Sequence, residues 1–497
     1  MNASAWAGLS IKNAAALFMR CAIIATTTAA CTTLPPPTEV RGTWLTTTAN
    51  TAIASPANTA TTMRRLQEIG LNTVYVETWK DGEAQFPSAV LLRTLSGTPR
   101  APRRDLLQET LIEAHRNGLI YIAWFEYGFM AAHQASMTRL RVQKPTWLSR
   151  DINGGEVAPN GFVWMNPLHP EARLLLRDLI LEAVVKYDLD GVQIDDRLVW
   201  PHVTMGYDDT TLAIYAAEHN GQRPPNDPRE PRWMQWRAGK VDEYAKWLVQ
   251  ELRAAKPGLV ISLSPAVYPW SWENYLLAWP QWAGWTYQDR LQSLAAQSPA
   301  SKNIRPHWDE FVPQAYRLSF DAYAKTWQEQ IDAVNKFAAN RQRDMLAGIR
   351  IVGDGADSSW AQLQASIQFA RERNNGGHVL WFSRGVLERY SKELTDFYAL
   401  GGSARTPHFA DGWRRAAIAL TLAVATSPAT GLRQWTSGDV PRGHYRSIGF
   451  DGSTWHYLDQ TAIAHDGNGG VVLTATASFS RVELIVDRRL EMARALR

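Results

Sequence analysis

The chain has 497 residues, 45% of them apolar and 20% charged, with a net charge of +4. This balance excludes wholesale disorder, and the scattered basic residues offer no cationic face for nucleic acid. The length accommodates one large domain and a smaller one.

The two cysteines, Cys21 and Cys31, both lie near the N-terminus. Arg20 precedes a short uncharged run that ends in Ala29-Ala30, which reads as a signal peptide over residues 1–31. Thr28-Ala29-Ala30-Cys31 resembles a lipobox, with Thr28 where that motif has leucine. The expectation is an exported protein of the periplasm or cell envelope, either lipidated and membrane-attached at Cys31 or cut near Ala30. Residues 32–39, with Pro35-Pro36-Pro37, read as a stiff spacer. From Val40 onward there is no cysteine, which excludes both disulfide stapling and thiol catalysis.

Eight β-rich runs follow: Val40–Thr46, Thr73–Trp79, Leu119–Glu126, Asp190–Asp196, Leu259–Ser264, Phe311–Tyr316, Met345–Val352 and Gly377–Phe382. Amphipathic helical runs separate them. Asp105 is placed to cap one, with Leu107, Leu111 and Ala114 inside and Gly118 after its end. Pro170 opens another, whose apolar stripe reads as Leu174, Leu175, Leu181, Val184 and Val185. Further helices are expected near 240–255, 321–339 and 357–373, with no clear helix between Ser264 and Phe311. Eight βα units predict an α/β fold, a (β/α)₈ barrel over residues 40–400. Helix-to-strand returns such as Asn117-Gly118 are short, whereas the connections after strands two to five are long. That asymmetry places a site at the C-terminal face. Residues 401–497, with an apolar segment at Ala416–Ala425 and β-like runs at Gly470–Ala475 and Val482–Val486, read as a small β-rich appendage.

The fourth strand, Asp190-Gly191-Val192-Gln193-Ile194-Asp195-Asp196-Arg197, ends in two adjacent acids. Alternation sends Gln193 and Asp195 to one side and Asp196 to the other. Unpaired buried carboxylates are costly, so such a pair at a strand end points to chemistry or to an ion pair with Arg197. Hydrolysis of a glycosidic bond needs two carboxyl groups, one protonated and one ionised. Glu126, at the end of strand three and flanked by aromatics, is the stronger candidate partner, and Glu77 on strand two is the alternative. A flat sugar ring is well held by aromatic faces, and 22 tryptophans are available. Trp44, Trp79, Trp124, Trp200 and Trp381 fall at or just past strand ends. Arg41, Asn166, Arg197, Gln314 and Tyr316 are the polar candidates for substrate binding. No His-x-His, His-Glu-x-x-His, Gly-x-Ser-x-Gly, P-loop or dinucleotide fingerprint is present, so neither a metal nor a cofactor is expected.

Taken in order, Arg41-Gly42-Thr43-Trp44, Asn72-Thr73-Val74-Tyr75, Ala123-Trp124-Phe125, Met165-Asn166-Pro167-Leu168-His169-Pro170, Asp190-Gly191 with Asp195-Asp196, and Pro313-Gln314-Ala315-Tyr316 resemble glycosyl-hydrolase-like family 10, once called domain of unknown function 187. The resemblance spans roughly residues 40–385. It implies an exported bacterial barrel acting on glycans, with one branch hydrolysing peptide-free ("denuded") peptidoglycan strands, and it matches Asp195 and Asp196 to the family's acidic pair. The chain departs from the pattern at Glu126-Tyr127, where many relatives have Asn-Pro, and over 277–308, which is longer than usual. The expectation is therefore an envelope glycan hydrolase with a polysaccharide substrate. The rival expectations are a catalytically silent glycan-binding barrel and a hydrolase of another polysaccharide.

Overall fold

The computed structural model describes residues 38–97, 104–285, 307–402, 404, 406–407, 416–424, 431–459 and 461–487. The signal peptide, Cys31 and nearly all of the Pro-rich spacer lie outside the described residues.

Eight parallel strands form the barrel wall: β1 (Val40–Leu45), β2 (Thr73–Glu77), β3 (Ile120–Phe125), β4 (Gly191–Ile194), β5 (Val260–Leu263), β6 (Glu310–Phe311), β7 (Leu346–Arg350) and β8 (Gly377–Trp381). They are ordered β6-β5-β4-β3-β2-β1-β8-β7. Parallel bridges Phe311–Met345 and Gln314–Gly348 join the two ends, so the sheet closes into the (β/α)₈ barrel. Helices cover one face of the wall and side chains fill the other, which is why β1 to β6 are buried along their whole length. Inside, Tyr75 Oη donates to Glu310 Oε2 at 3.0 Å. Trp44 Nε1 donates to Gln193 Oε1 at 2.7 Å, and Gln193 Nε2 donates to Ser262 Oγ at 2.9 Å.

Gly191 shows why β4 begins as it does. A Cβ there would lie 2.6 Å from both the Val260 carbonyl oxygen and Ile122 Cδ1. Gly191→Ala is therefore expected to cost at least about 1–3 kcal/mol, because the obstacle includes neighbouring backbone. A thermal melt matching that of the parent protein would contradict this.

The principal helices are α1 (Pro56–Ile69), α2 (Leu106–Arg116), α3 (Pro170–Lys186), α4 (Pro231–Ala255), α5 (Phe320–Phe337), α6 (Trp360–Glu372) and α7 (Ser391–Ala399). Asp105 caps α2 by accepting from Gln108 N. In α3 the buried stripe is Ala172, Leu175, Leu176, Leu179, Ile180, Ala183 and Val184. The expected Leu174 and Val185 are instead 41% and 76% exposed. They sit one position off the face that meets the barrel.

The long connections bear the structure expected of a site face. Two small hairpins (Trp79–Lys80 with Glu83–Ala84, Met130–His133 with Phe162–Trp164) follow β2 and β3. Short helices Asp209–Glu218 and Trp270–Tyr275 follow β4 and β5.

Beyond the barrel, β9 (Ile418–Val424), β10 (Leu432–Ser437), β11 (Gly443–Phe450), β12 (Trp455–Tyr457), β13 (Ile463–His465), β14 (Val471–Thr476) and β15 (Arg481–Val486) form an antiparallel sheet. Its own core includes Leu420, Trp435, Tyr445, Val482 and Leu484. A second cluster joins it to the barrel, with Ile112 of α2 packed among Ile448, Trp455 and Ile485. Arg116 clamps Glu483 through two bonds of 2.8 Å and lies 4.1 Å over the Trp455 ring.

Candidate active site

Strand alternation carries the inward direction of Gln193 on to Asp195 at the barrel's C-terminal rim. Both Asp195 oxygens are engaged: Gln314 Nε2 donates to Oδ1 and Arg197 Nη1 to Oδ2, each at 2.7 Å. The same Arg197 nitrogen lies 3.4 Å from Asp196 Oδ1 and 3.7 Å from Glu126 Oε1, and it donates to the Glu126 carbonyl at 3.0 Å. One guanidinium nitrogen thus gathers three carboxylates. Laid end to end, the 3.4 Å and 3.7 Å separations keep Asp196 Oδ1 and Glu126 Oε1 within about 7 Å of each other.

The network continues into β2. Lys80 Nζ stands 3.5 Å from Glu126 Oε2 and donates to Glu77 Oε2 at 3.2 Å. Glu77 also accepts from the Thr47 amide and from Thr47 Oγ1. Four carboxylates therefore share two cations. Among them, Asp196 Oδ1 and Glu126 Oε2 are buried oxygens that accept no hydrogen bond from any described residue. Backbone packing holds the cluster together: at Gly128 (φ 44°) a Cβ would lie 2.4 Å from the Arg197 carbonyl oxygen, the acceptor for Phe129 N.

Burial, and then the adjoining charge of Asp196, raise the pKa of Asp195 well above the ordinary carboxylate range. Burial, followed by repulsion from Glu126, pushes Glu77 up to about 7. A carboxyl raised on folding stabilises most below its unfolded value of about 4.5 and loses that contribution as pH rises through about 7. Its share of the loss amounts to roughly 3 kcal/mol. Glu77→Gln should therefore flatten the fall in stability between pH 5 and pH 8, measured by urea unfolding at both. An unchanged slope would refute the assignment.

Below the carboxylates, Trp44, Trp124, Tyr316 and Trp381 meet with ring centroids 5.8–6.4 Å apart. Tyr316 and Trp381 are half-buried, and Trp44 and Trp124 are only 1% exposed, so they back the floor without presenting a face. Trp79 and Trp200 are also not platforms. Both are fully buried, and their indole N–H groups donate to Gly128 O and Met205 O, which locks loops. Asn166 is likewise consumed: its amide donates to Asp208 and Thr211 and its oxygen accepts from Leu168 N. Arg41 is the clearest correction. As the second residue of β1 it lies at the opposite end of the barrel, bound to Glu39 and the Gly402 carbonyl and stacked 4.5 Å over Tyr398. The charged partner of Glu77 is Lys80. Lys80 and Thr47 were not anticipated; the three-residue step from Glu77 to Lys80 just past a strand end was the signal available.

An eight-stranded parallel barrel with acidic side chains converging at its C-terminal rim is the class of protein that this fold and site define. More particularly, the chain belongs to the glycosyl hydrolase-like 10 family, whose model matches residues 39–354. That membership supports glycoside hydrolysis as the reaction class. Among relatives, it is 27% identical over 203 residues to glycosyl hydrolase YngK of Bacillus subtilis (40% of this chain, 38% of that protein). It is 25% identical over 218 residues to glycosyl hydrolase DigH of Escherichia coli K12 (40% and 45%). These matches span less than half of either relative. The fold is shared with the glycoside hydrolase domain of PgaB (BpsB) from Bordetella bronchiseptica, at a TM-score of 0.52 and 15% identity over 72% of this chain and 98% of that one.

Proposed function

We infer that the protein cleaves glycosidic bonds in a cell-envelope glycan, with denuded peptidoglycan strands as the substrate. The observation that carries this reading is the gathering of Asp195, Asp196 and Glu126 around one Arg197 nitrogen at the barrel rim. In this mechanism Asp196 and Glu126 face the bond, and Asp195 is the positioning carboxylate, because both of its oxygens are engaged. One working carboxyl protonates the leaving oxygen as the bond to the anomeric carbon breaks. The other takes the proton of the incoming water, or first attacks the anomeric carbon itself. The limit of about 7 Å on this one oxygen pair is compatible with both the short spacing of retaining enzymes and the longer one of inverting enzymes. If the substrate's own N-acetyl group attacks instead, the Asp pair suffices and Glu126 is dispensable.

Residues 1–31, read as an export signal with a lipidation option at Cys31, support an envelope location and hence an envelope substrate. The family resemblance to a branch acting on denuded strands points the same way. The reading is tested by incubating the mature protein with denuded strands and with intact sacculi, and reading products by mass spectrometry. Soluble oligosaccharides from the denuded strands would support it. Retained binding without release would favour a silent glycan-binding barrel, a reading for which the neutralising Arg197 pairings speak. Turnover of a different polymer alone would move the substrate.

A further inference from the structure

Beside the carboxylates lies a group of uncharged, ring-bearing side chains that the proposed chemistry does not use. Trp270 opens the short helix after β5 and is 48% exposed, whereas twelve other tryptophans among the described residues are no more than 2% exposed. Five residues on, Tyr275 packs against it with centroids 5.3 Å apart. The Tyr275 carbonyl accepts from Trp200 N at 3.2 Å, four residues past Asp196 on the β4 loop, which sets this aromatic pair beside the acidic rim. Two other loops contribute. From the β4 loop, His202 sets its ring edge-on to Tyr275 at 5.7 Å. From the loop and hairpin after β3, Asn160 Nδ2 donates to Tyr275 Oη at 2.8 Å, and Trp164 lies 6.1 Å from the Tyr275 ring.

The polar atoms suit a sugar. Tyr275 Oη accepts from Asn160 and keeps its own proton to donate. His202 Nδ1 accepts from the Thr204 amide at 3.2 Å, which leaves the proton on Nε2 as a second donor. Burial and the nearby Arg229 and Arg237 keep this imidazole neutral, at a pKa of about 4. An exposed indole face beside uncharged donors is a surface for the apolar face and hydroxyls of a pyranose ring. Glu273, exposed on the same helix, is balanced by Arg229, which donates to the Glu273 carbonyl at 3.0 Å, so the surface carries no clear net charge.

We propose that Trp270, Tyr275 and His202 form a second sugar subsite adjoining the Asp196–Glu126 pair, which holds a neutral pyranose unit of the chain beyond the bond being cut. The proposal rests on the glycan-cleaving reading and sharpens it. The substrate must be an oligomer that continues past the scissile bond on this side.

The test compares the parent protein with Trp270→Ala and Trp270→Phe on denuded glycan strands of defined length. Three readouts are used: kcat and KM separately, product-length distribution, and strand binding by calorimetry in an Asp196→Asn background. Trp270→Ala should raise KM and the strand Kd about tenfold, the order of one lost stacking contact. Its kcat should fall less, and its products should shift in length. Trp270→Phe should recover part of each effect. KM, strand Kd and product lengths unchanged in Trp270→Ala would overturn the proposal. If the parent protein cuts no glycan, the hydrolase reading fails by itself. Strand binding then still decides the subsite: weakened binding in Trp270→Ala sustains it, and equal or absent binding refutes it.

Discussion

Replacing Asp196 with asparagine should lower kcat on denuded strands by about 10³-fold, within the range that a positioned acid or base contributes, while leaving the melting temperature nearly unchanged. Asparagine keeps the shape and removes only the ionisable oxygen. The side chain is 28% exposed, and its Oδ1 accepts no hydrogen bond from a described residue, so the fold gives up one ion pair of 3.4 Å and no bonded contact. Asp195→Asn is the less clean experiment, because it disturbs bonds to both Gln314 and Arg197 and would mix misplacement with lost chemistry. Product release measured by mass spectrometry, alongside circular dichroism, separates the cases. Full turnover in Asp196→Asn would remove it from the mechanism and leave the work to Asp195 and Glu126.

The second large effect is expected on stability. Arg197→Met removes the cation that Asp195, Asp196 and Glu126 share, leaving carboxylates in a setting where only 5–28% of each side chain is exposed. Stripping one partner from a buried pair costs about 3–5 kcal/mol, and here the loss should depend on pH. Asp195 already has a raised pKa, and without the guanidinium it rises further. A carboxyl with a raised folded pKa stabilises below its unfolded value and loses that contribution as pH increases. The deficit measured by urea unfolding should therefore be larger at pH 8 than at pH 5, and Arg197→Lys should restore part of it. An equal deficit at both pH values would mean that Arg197 acts through packing alone.

Most of the barrel was legible in the sequence because parallel strands buried on both faces read as short apolar runs. Their short returns, such as Asn117-Gly118, mark the closed face. Asp195, Asp196, Glu126 and Gln314 were legible because their types are out of place at the ends of such runs. The tryptophans were less legible. Residue type does not tell an indole that fills a barrel, as Trp44 does against Gln193, from one that offers a face, as Trp270 does. Arg41 was misplaced although its position as the second residue of strand one already set it at the mouth away from the site face; its charge within an apolar run outweighed its position. Lys80 and Thr47 come together with Glu77 only through the folding of two loops, a juxtaposition that no spacing rule encodes.

In most barrels of this kind an outer helix turns a polar back to water, but α2 has no such back. Ile112 and Glu113 are both buried, and the strands after residue 416 cover this side, with Ala417 N bonded to the Arg116 carbonyl. The terminal sheet is therefore part of the barrel's coat, and it cannot be trimmed away as cargo. A minimal fragment ending near residue 400 would carry a bare isoleucine face and an arginine stripped of Glu483, and it should be poorly soluble until that face is redesigned. Grafting this barrel onto another protein thus means carrying the sheet along, or repainting one helix.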